Sequence, residues 1–105
     1  MNGFLSKISK FSLGPRLRAK LIRDFWRVIA KFKTETEVEG FLGNILTPAE
    51  QEMLAKRLEA LRLLVVKKSY SEIGMAINMS SVTLSRLNNR LRADDAFKDM
   101  IKRLG

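Results

Sequence analysis

Residues 69–91 read SYSEIGMAINMSSVTLSRLNNRL and contain two short helical patterns separated by a break. Ser69, followed three residues later by Glu72, is a capping-box pattern that predicts the start of a helix. Asn78 tolerates the left-handed conformation better than most residues, so we expect this helix to stop there. Ser80 or Ser81 can then cap a second helix. The stretch therefore predicts two helices joined by a three-residue turn.

The placement of small and apolar residues in this pair is more specific than that of an ordinary helical hairpin. Gly74 falls where the two helices approach each other most closely. Five apolar residues occupy the positions that pin the helices across a tight crossing: Ile73, Ile77, Met79, Leu84 and Leu87. This is the pattern of the DNA-binding helix-turn-helix. A hairpin inside an ordinary helical bundle is the alternative interpretation.

The outward positions of the second helix carry side chains that suit the reading of DNA. Val82 can contact a thymine methyl group, Arg86 can read guanine and Asn89 can read adenine. The neighbouring short hydroxyl side chains allow the backbone to approach the base edges. We predict DNA contacts at Lys68, Ser71, Ser80, Ser81, Val82, Thr83, Ser85, Arg86, Asn89 and Arg90.

The rest of the chain predicts further helices and no strands, so we expect an all-α fold of about six helices. Pro15 suits the first turn of a helix, and Thr47, Pro48 and Glu50 together form a strong start signal. We interpret residues 1–14 as a flexible basic arm and 15–105 as a single helical domain. Its predicted segments are a helix near 15–33, a helix near 35–45, a long central helix over 47–67, the helix-turn-helix over 69–91 and a C-terminal helix over 94–104.

The first predicted helix has two faces. Its apolar stripe consists of Leu17, Leu21, Phe25, Ile29 and Phe32, widened by Ile22, Trp26 and Val28, and its basic face consists of Arg16, Lys20, Arg23, Arg27 and Lys31. The stripe is too wide to be buried entirely in the core of a single domain of this size, which favours an intertwined homodimer through residues 15–45. We predict dimer contacts at Leu21, Phe25, Trp26, Ile29, Phe32 and Phe41. A membrane-surface helix is an alternative, because a tryptophan lies among arginines. The basic face could also contact phosphates, which is compatible with a dimer.

Charge points to a polyanionic partner, with nucleic acid first and an acidic membrane surface second. The chain has 105 residues and a net charge of +9. Residues 1–33 contain nine lysines and arginines and a single aspartate, whereas 69–105 contain six basic and four acidic residues. The basic excess therefore lies in the first helix and the arm, and a DNA-binding hypothesis must account for it.

Composition excludes several classes of function. There is no cysteine and no histidine, which removes thiolate metal sites, the commonest general base and the His-dependent nucleophile triads. No pair of catalytic groups stands out, so we expect no enzyme, no metal and no cofactor. No apolar run reaches the roughly 18 to 20 residues of a membrane span, and the first residues do not resemble a signal peptide. We expect a cytoplasmic protein.

Two stretches together resemble the Trp repressor superfamily. They are LTPAEQEMLAKRLEALRLL, residues 46–64, and the pair of helices over 69–91. The resemblance is closest to the YerC/YecD-like members, which have a similar TPAE…R helix and an SYxEIA…S…T(I/L)SRxN segment. It covers roughly Thr34 to Leu91. It implies a homodimer whose second helix of the helix-turn-helix enters the major groove, with the helix near 15–33 in the place of a dimerisation helix.

The resemblance also bears on a ligand. In Trp repressor two arginines sandwich the indole ring of bound tryptophan, and Arg57 and Arg86 fall on those places. Leu87, however, stands where the repressor has a glycine that leaves room for the ligand, and Arg90 replaces a serine that helps to hold it. Since close-packed interiors leave no spare voids, a leucine would fill much of the pocket formed by Arg57, Arg86 and Leu87. We therefore expect no tryptophan co-repressor.

These observations predict a sequence-specific DNA-binding transcriptional regulator, a repressor, that acts as a helix-turn-helix homodimer. A DNA-binding module like region 4 of sigma factors is one alternative, since it shares the style of the helix-turn-helix without requiring residues 15–33. A helical adaptor whose basic face binds an acidic protein is the other.

Overall fold

The structure is a computed structural model that describes residues 13–105, and within this range every regular element is an α-helix. The predicted arm over 1–14 thus lies almost entirely outside the described residues. The helices are α1 (Pro15–Ile29), α2 (Glu35–Ile45), α3 (Pro48–Val65), α4 (Tyr70–Ile77), α5 (Ser81–Ala93) and α6 (Asp95–Leu104). None of the helices in this range is both long and apolar enough to cross a membrane. The all-α prediction is confirmed.

The chain forms two compact units, which we call the N-terminal unit, Met1–Asn44, and the C-terminal unit, Ile45–Gly105. In the N-terminal unit, neither α1 nor α2 contains a buried residue. The apolar side chains of α1 remain open: Leu17 and Leu21 are 47% exposed, Ile22 is 50% exposed and Trp26 is 62% exposed. This unit therefore does not bury the stripe that its sequence displays.

The helix predicted to run to residue 33 ends at Ile29, and that extent was wrong. After Ile29 the backbone hydrogen bonds join residues three apart, as in a 3₁₀ turn. The Lys31 N–H donates to the Val28 carbonyl, and the Phe32 N–H donates to the Ile29 carbonyl. The turn carries Phe32 to the ring of Phe41, with centroids 5.1 Å apart. Phe32, which the apolar periodicity places in the first helix, thus lies after α1 and forms an aromatic contact within the N-terminal unit.

The C-terminal unit has a closed apolar core. Helix α3 packs against α4, α5 and α6, and α5 packs against both α4 and α6. The buried side chains are Ala60, Leu61, Leu64, Ile73, Leu84, Leu91 and Ile101. Ile73 and Leu84 are fully buried, one from each helix of the pair over 69–91. The core therefore fixes α4 and α5 on α3, the longest of the described helices.

The helices of this unit begin at the residues that the sequence indicates. Ser69 caps α4 with a full capping box, in which its hydroxyl accepts from the Glu72 N–H and the Glu72 carboxylate accepts from the Ser69 N–H. That backbone hydrogen bond lowers the pKa of Glu72. Thr47 and Glu50 form the same box at α3. Ser80 rather than Ser81 caps α5, and Asp94 rather than Asp95 caps α6.

Candidate nucleic-acid interface

The turn between α4 and α5 is the three-residue turn that the sequence predicts. Asn78 adopts the left-handed conformation, with φ of 53° and ψ of 63°. Gly74 faces this turn: a Cβ atom there would lie 3.0 Å from the carbonyl oxygen of Met79. That distance is tighter than most Cβ contacts, so a side chain at this position would push the turn away from α4. The close approach thus involves the turn backbone and not the body of the second helix.

A lysine on α3 holds this turn in place. The Nζ atom of Lys56 donates a 3.0 Å hydrogen bond to the carbonyl oxygen of Asn78. Because the left-handed residue ends α4, its carbonyl lies outside the helix ladder and accepts a partner from another element. Sequence reasoning missed Lys56, since nothing in the spacing of α3 distinguishes it from the other cations of that helix, Arg57 and Arg62.

One side of α5 is buried and the opposite side faces solvent. Leu84 and Leu91 lie in the core, at 0% and 3% exposure. Val82, Arg86 and Asn89 follow the i, i+4, i+7 spacing of a single helical face, and all three are exposed. Val82 is 60% exposed, so its side chain is open to contact from solvent. We call Val82, Arg86 and Asn89 the outer ridge of α5.

The other predicted DNA contacts surround this ridge. Ser81 and Arg90 are exposed on α5, whereas Thr83 and Ser85 are half-buried at its sides. Lys68 and Ser71 are exposed at the start of α4. Ser80 is occupied by its cap: its hydroxyl accepts from the Thr83 N–H at 3.2 Å and donates to the Thr83 hydroxyl at 3.0 Å. Ser80 therefore positions the start of α5, and its hydroxyl already has protein partners.

Of the three residues of the predicted ligand pocket, Arg57 lines a cavity of about 270 Å³ whose lining includes neither Arg86 nor Leu87. Arg86 belongs to the outer ridge, and Leu87 packs against the core. The complete lining of the cavity is Glu52, Met53, Lys56, Arg57, Asn78, Met79, Ser80 and Thr83. The absence of tryptophan binding stays a prediction.

No group of three or more acidic side chains that could hold a metal ion occurs within residues 13–105. The arrangement offers instead what DNA recognition requires. A helix has its apolar side fixed in a core, a rigid turn before it, and a solvent-facing ridge that combines an apolar side chain, an arginine and an amide. These features define a helix-turn-helix protein.

Comparison with known families places the chain within this class. The model of the family described as Trp repressor protein matches residues 20–105, well over half of the chain. The chain therefore belongs to the Trp repressor protein family, whose members are DNA-binding transcription regulators. The comparisons with curated proteins and with solved structures found no match. Family membership confirms the resemblance seen in the sequence, while the YerC/YecD-like subtype stays a prediction.

Proposed function

We propose that the protein is a sequence-specific transcriptional repressor that binds DNA as a homodimer in the cytoplasm. Each copy lays one α5 helix in the major groove of one half-site. The dimer represses by covering promoter DNA that the transcription machinery needs. Membership of a family of DNA-binding regulators supports the general statement, and features of each unit support the finer ones.

The outer ridge of α5 is the observation that carries the proposal. A helix that enters a groove needs short or specifically matched side chains on the face that meets the bases. Val82 can contact a thymine methyl group, Arg86 can form two hydrogen bonds with guanine, and Asn89 can do the same with adenine. Each good bidentate pair contributes roughly 1–3 kcal/mol of discrimination against the wrong base. The ridge thus has the chemistry for sequence reading.

The N-terminal unit supports the homodimer. Its apolar stripe has no buried member, and Trp26 is the most exposed side chain in that stripe. Phe25 contacts Trp26 edge to face, with ring centroids 5.3 Å apart, so two aromatic rings lie together on α1. Aromatic residues are enriched at the centres of protein interfaces. A second copy would present the same stripe, which is what a two-fold symmetric interface requires.

The basic face of α1 supplies the attraction to DNA that the outer ridge lacks. Asp24 pairs with Lys20 at 2.8 Å and with Arg27 at 3.7 Å, and the hydrogen bond from Lys20 lowers the pKa of Asp24. On the same face, Arg16 forms no ion pair with any described residue, and Arg23 acts on Asp24 only at longer range. Free cations of this kind contact phosphates without reading sequence.

Selection of bound sequences from random duplex DNA, with the purified full-length protein, tests the proposal. We expect enrichment of a palindrome whose half-sites lie about one helical turn apart, or a multiple of it, because a two-fold symmetric dimer reads both strands alike. Enrichment of a single non-repeated site would favour the sigma region-4-like alternative. If no sequence is enriched, the adaptor alternative replaces this proposal.

A further inference from the structure

A second cavity lies beside α5, and its lining is strongly basic. It has a volume of about 230 Å³ and is lined by Leu64, Val65, Lys67, Lys68, Tyr70, Asn88, Leu91, Arg92 and Lys98. Four of these nine side chains are cations, and no carboxylate is among them. We call this cavity the basic pocket. Its cations come from three places: the turn after α3, the end of α5 and the second turn of α6.

The four cations, Lys67, Lys68, Arg92 and Lys98, form no ion pair with the carboxylates of the described residues. Lys68 exerts only a longer-range effect, as the last of the causes that lower the pKa of Glu72. The carboxylate of Asp94 is occupied as the cap of α6, where it accepts from the Phe97 N–H at 3.0 Å. Like charges around one cavity repel one another, so this arrangement favours an anion among them.

The backbone after α3 places Lys67 at the pocket in an unusual conformation. The Lys68 N–H bonds to the Leu63 carbonyl and the Lys67 N–H to the Leu64 carbonyl, which is the Schellman pattern of a helix end. Lys67 occupies its left-handed position, with φ of 68°, where glycine is the usual residue. A lysine at this position gives the pocket a cation that the usual glycine would not.

The basic pocket includes Asn88 and Arg92 of α5, which neighbour the outer ridge along the helix but are not part of it. Successive residues of a helix are turned by about 100° around its axis, so Arg92 lies about 80° from Val82. A helix seated in the major groove has a sugar–phosphate backbone on each side, and side chains turned away from the centre of the ridge face one of these backbones. Arg92, and the pocket behind it, therefore face a flank of the groove when the ridge faces the bases.

We propose that the basic pocket binds a phosphate group, and that the DNA backbone beside the half-site supplies it. Lys98 and Lys67 extend the DNA-contacting surface beyond the helix-turn-helix, to α6 and to the turn after α3. This inference rests on the proposed function for the source of the phosphate, but free inorganic phosphate has the same chemistry and is the other possible source.

Lys98→Gln and Arg92→Gln test the proposal, with Lys102→Gln as the matched control. Lys102 lies one turn further along α6 and carries the same charge, but it does not line the basic pocket. Affinity for the selected duplex is measured over a series of salt concentrations, and helical circular dichroism checks the fold. We expect each pocket variant to weaken binding several-fold and to reduce the slope of log affinity against log salt by about 0.9, the value for one phosphate that the protein no longer neutralises. The control should leave the slope unchanged.

A titration of each protein with inorganic phosphate, followed by nuclear magnetic resonance in the absence of DNA, identifies the source. Saturable shifts of the Tyr70 and Arg92 amides in the parent, abolished in Lys98→Gln, together with an unchanged salt slope, would assign the pocket to free phosphate. The pocket proposal is wrong if the two pocket variants and the control all bind DNA with the affinity and salt slope of the parent, and inorganic phosphate causes no saturable shift. If the parent selects no DNA, the proposed function fails, and the phosphate titration still decides the pocket.

Discussion

The N-terminal and C-terminal units have similar apolar periodicity in their sequences but bury it to very different degrees. In α1, Leu21 and Trp26 remain 47% and 62% exposed, whereas Ile73 and Leu84 of the helix-turn-helix are completely buried. Four helices enclose the core of the C-terminal unit, and nothing comparable forms from α1 and α2, which contain no buried residue. A hydrophobic stripe therefore indicates that a helix needs a partner, but it does not indicate which chain provides it.

This difference assigns separate tasks to the two units. The C-terminal unit stabilises itself and orients the outer ridge of α5. The N-terminal unit, with an open apolar stripe beside a basic face, is suited to join a second copy and to attract phosphates. Substitutions in the first unit should therefore change assembly and general DNA affinity, and substitutions in the core and in the outer ridge of the second should change stability and specificity.

The largest expected effect is the loss of the dimer on substitution of the open stripe. Phe25→Asp combined with Ile29→Asp places two charges in the proposed interface, where an unpaired buried charge is strongly unfavourable. Sedimentation at micromolar concentration should give the mass of two chains for the parent and one chain for the variant. Arg23→Ala with Arg27→Ala changes the net charge by the same amount on the other face of α1 and should leave the dimer intact. A parent that sediments as a monomer would rule out the homodimer.

The next largest effect is expected in the core of the C-terminal unit. Leu84→Ala removes most of a side chain with no exposed surface, and such changes typically cost about 2–5 kcal/mol because a cavity remains. Denaturant unfolding of the full chain measures the loss. Leu13→Ala, at a residue that precedes α1, lies outside the apolar stripe and is 43% exposed, is the matched change in the N-terminal unit. We expect a much smaller loss of stability there, and equal losses would contradict the distinction between the units.

A moderate effect is expected on DNA affinity from the basic face of α1. Arg16→Ala, Lys20→Ala and Arg23→Ala together should weaken binding to selected and to random duplexes by the same factor, because phosphate contacts carry no sequence information. The slope of log affinity against log salt should fall by about 0.9 for each phosphate that the variant leaves unneutralised. Weakening confined to the selected duplex would show that α1 takes part in sequence reading.

The smallest effect is expected for the bond between α3 and the turn. Lys56→Met removes the donor to the Asn78 carbonyl and should lower the free energy of unfolding by about 1 kcal/mol, the usual net value of a hydrogen bond. Lys20→Met in the N-terminal unit removes the donor of an exposed ion pair and should cause no measurable loss, because solvent screens such pairs. Thermal unfolding of the two variants under the same conditions compares them directly.

Much of the fold follows from local sequence signals. Ser69, Thr47 and the left-handed Asn78 act through neighbours within a few residues, so their patterns correctly predict where α3 and α4 begin and where α4 ends. After the end of α1, Phe32 contacts Phe41, a residue of the next helix. The spacing of apolar residues in α1 contains no sign of that contact.

The candidate site was only partly predictable for the same reason. Val82, Arg86 and Asn89 lie opposite Leu84 and Leu91, and the period of a helix is enough to place them outward. Lys56 acts on a residue 22 positions away, and the basic pocket assembles cations from three separate elements. Cations near the C-terminus of a helix are favourable because of the helix dipole, whether or not a pocket is present. The sequence positions of Lys67 and Lys68 therefore do not indicate the basic pocket.

Val82→Glu, measured against the selected duplex, tests most directly the claim that α5 reads DNA through its outer ridge. A carboxylate at this exposed position would face bases and phosphates, so specific binding should be abolished while helical circular dichroism and the mass of the assembly stay unchanged. Met100→Glu adds the same charge at a half-exposed apolar residue of α6 and should retain specific binding. If Val82→Glu binds the selected duplex as tightly as the parent does, α5 is not the reading helix and the proposed mode of DNA recognition is wrong.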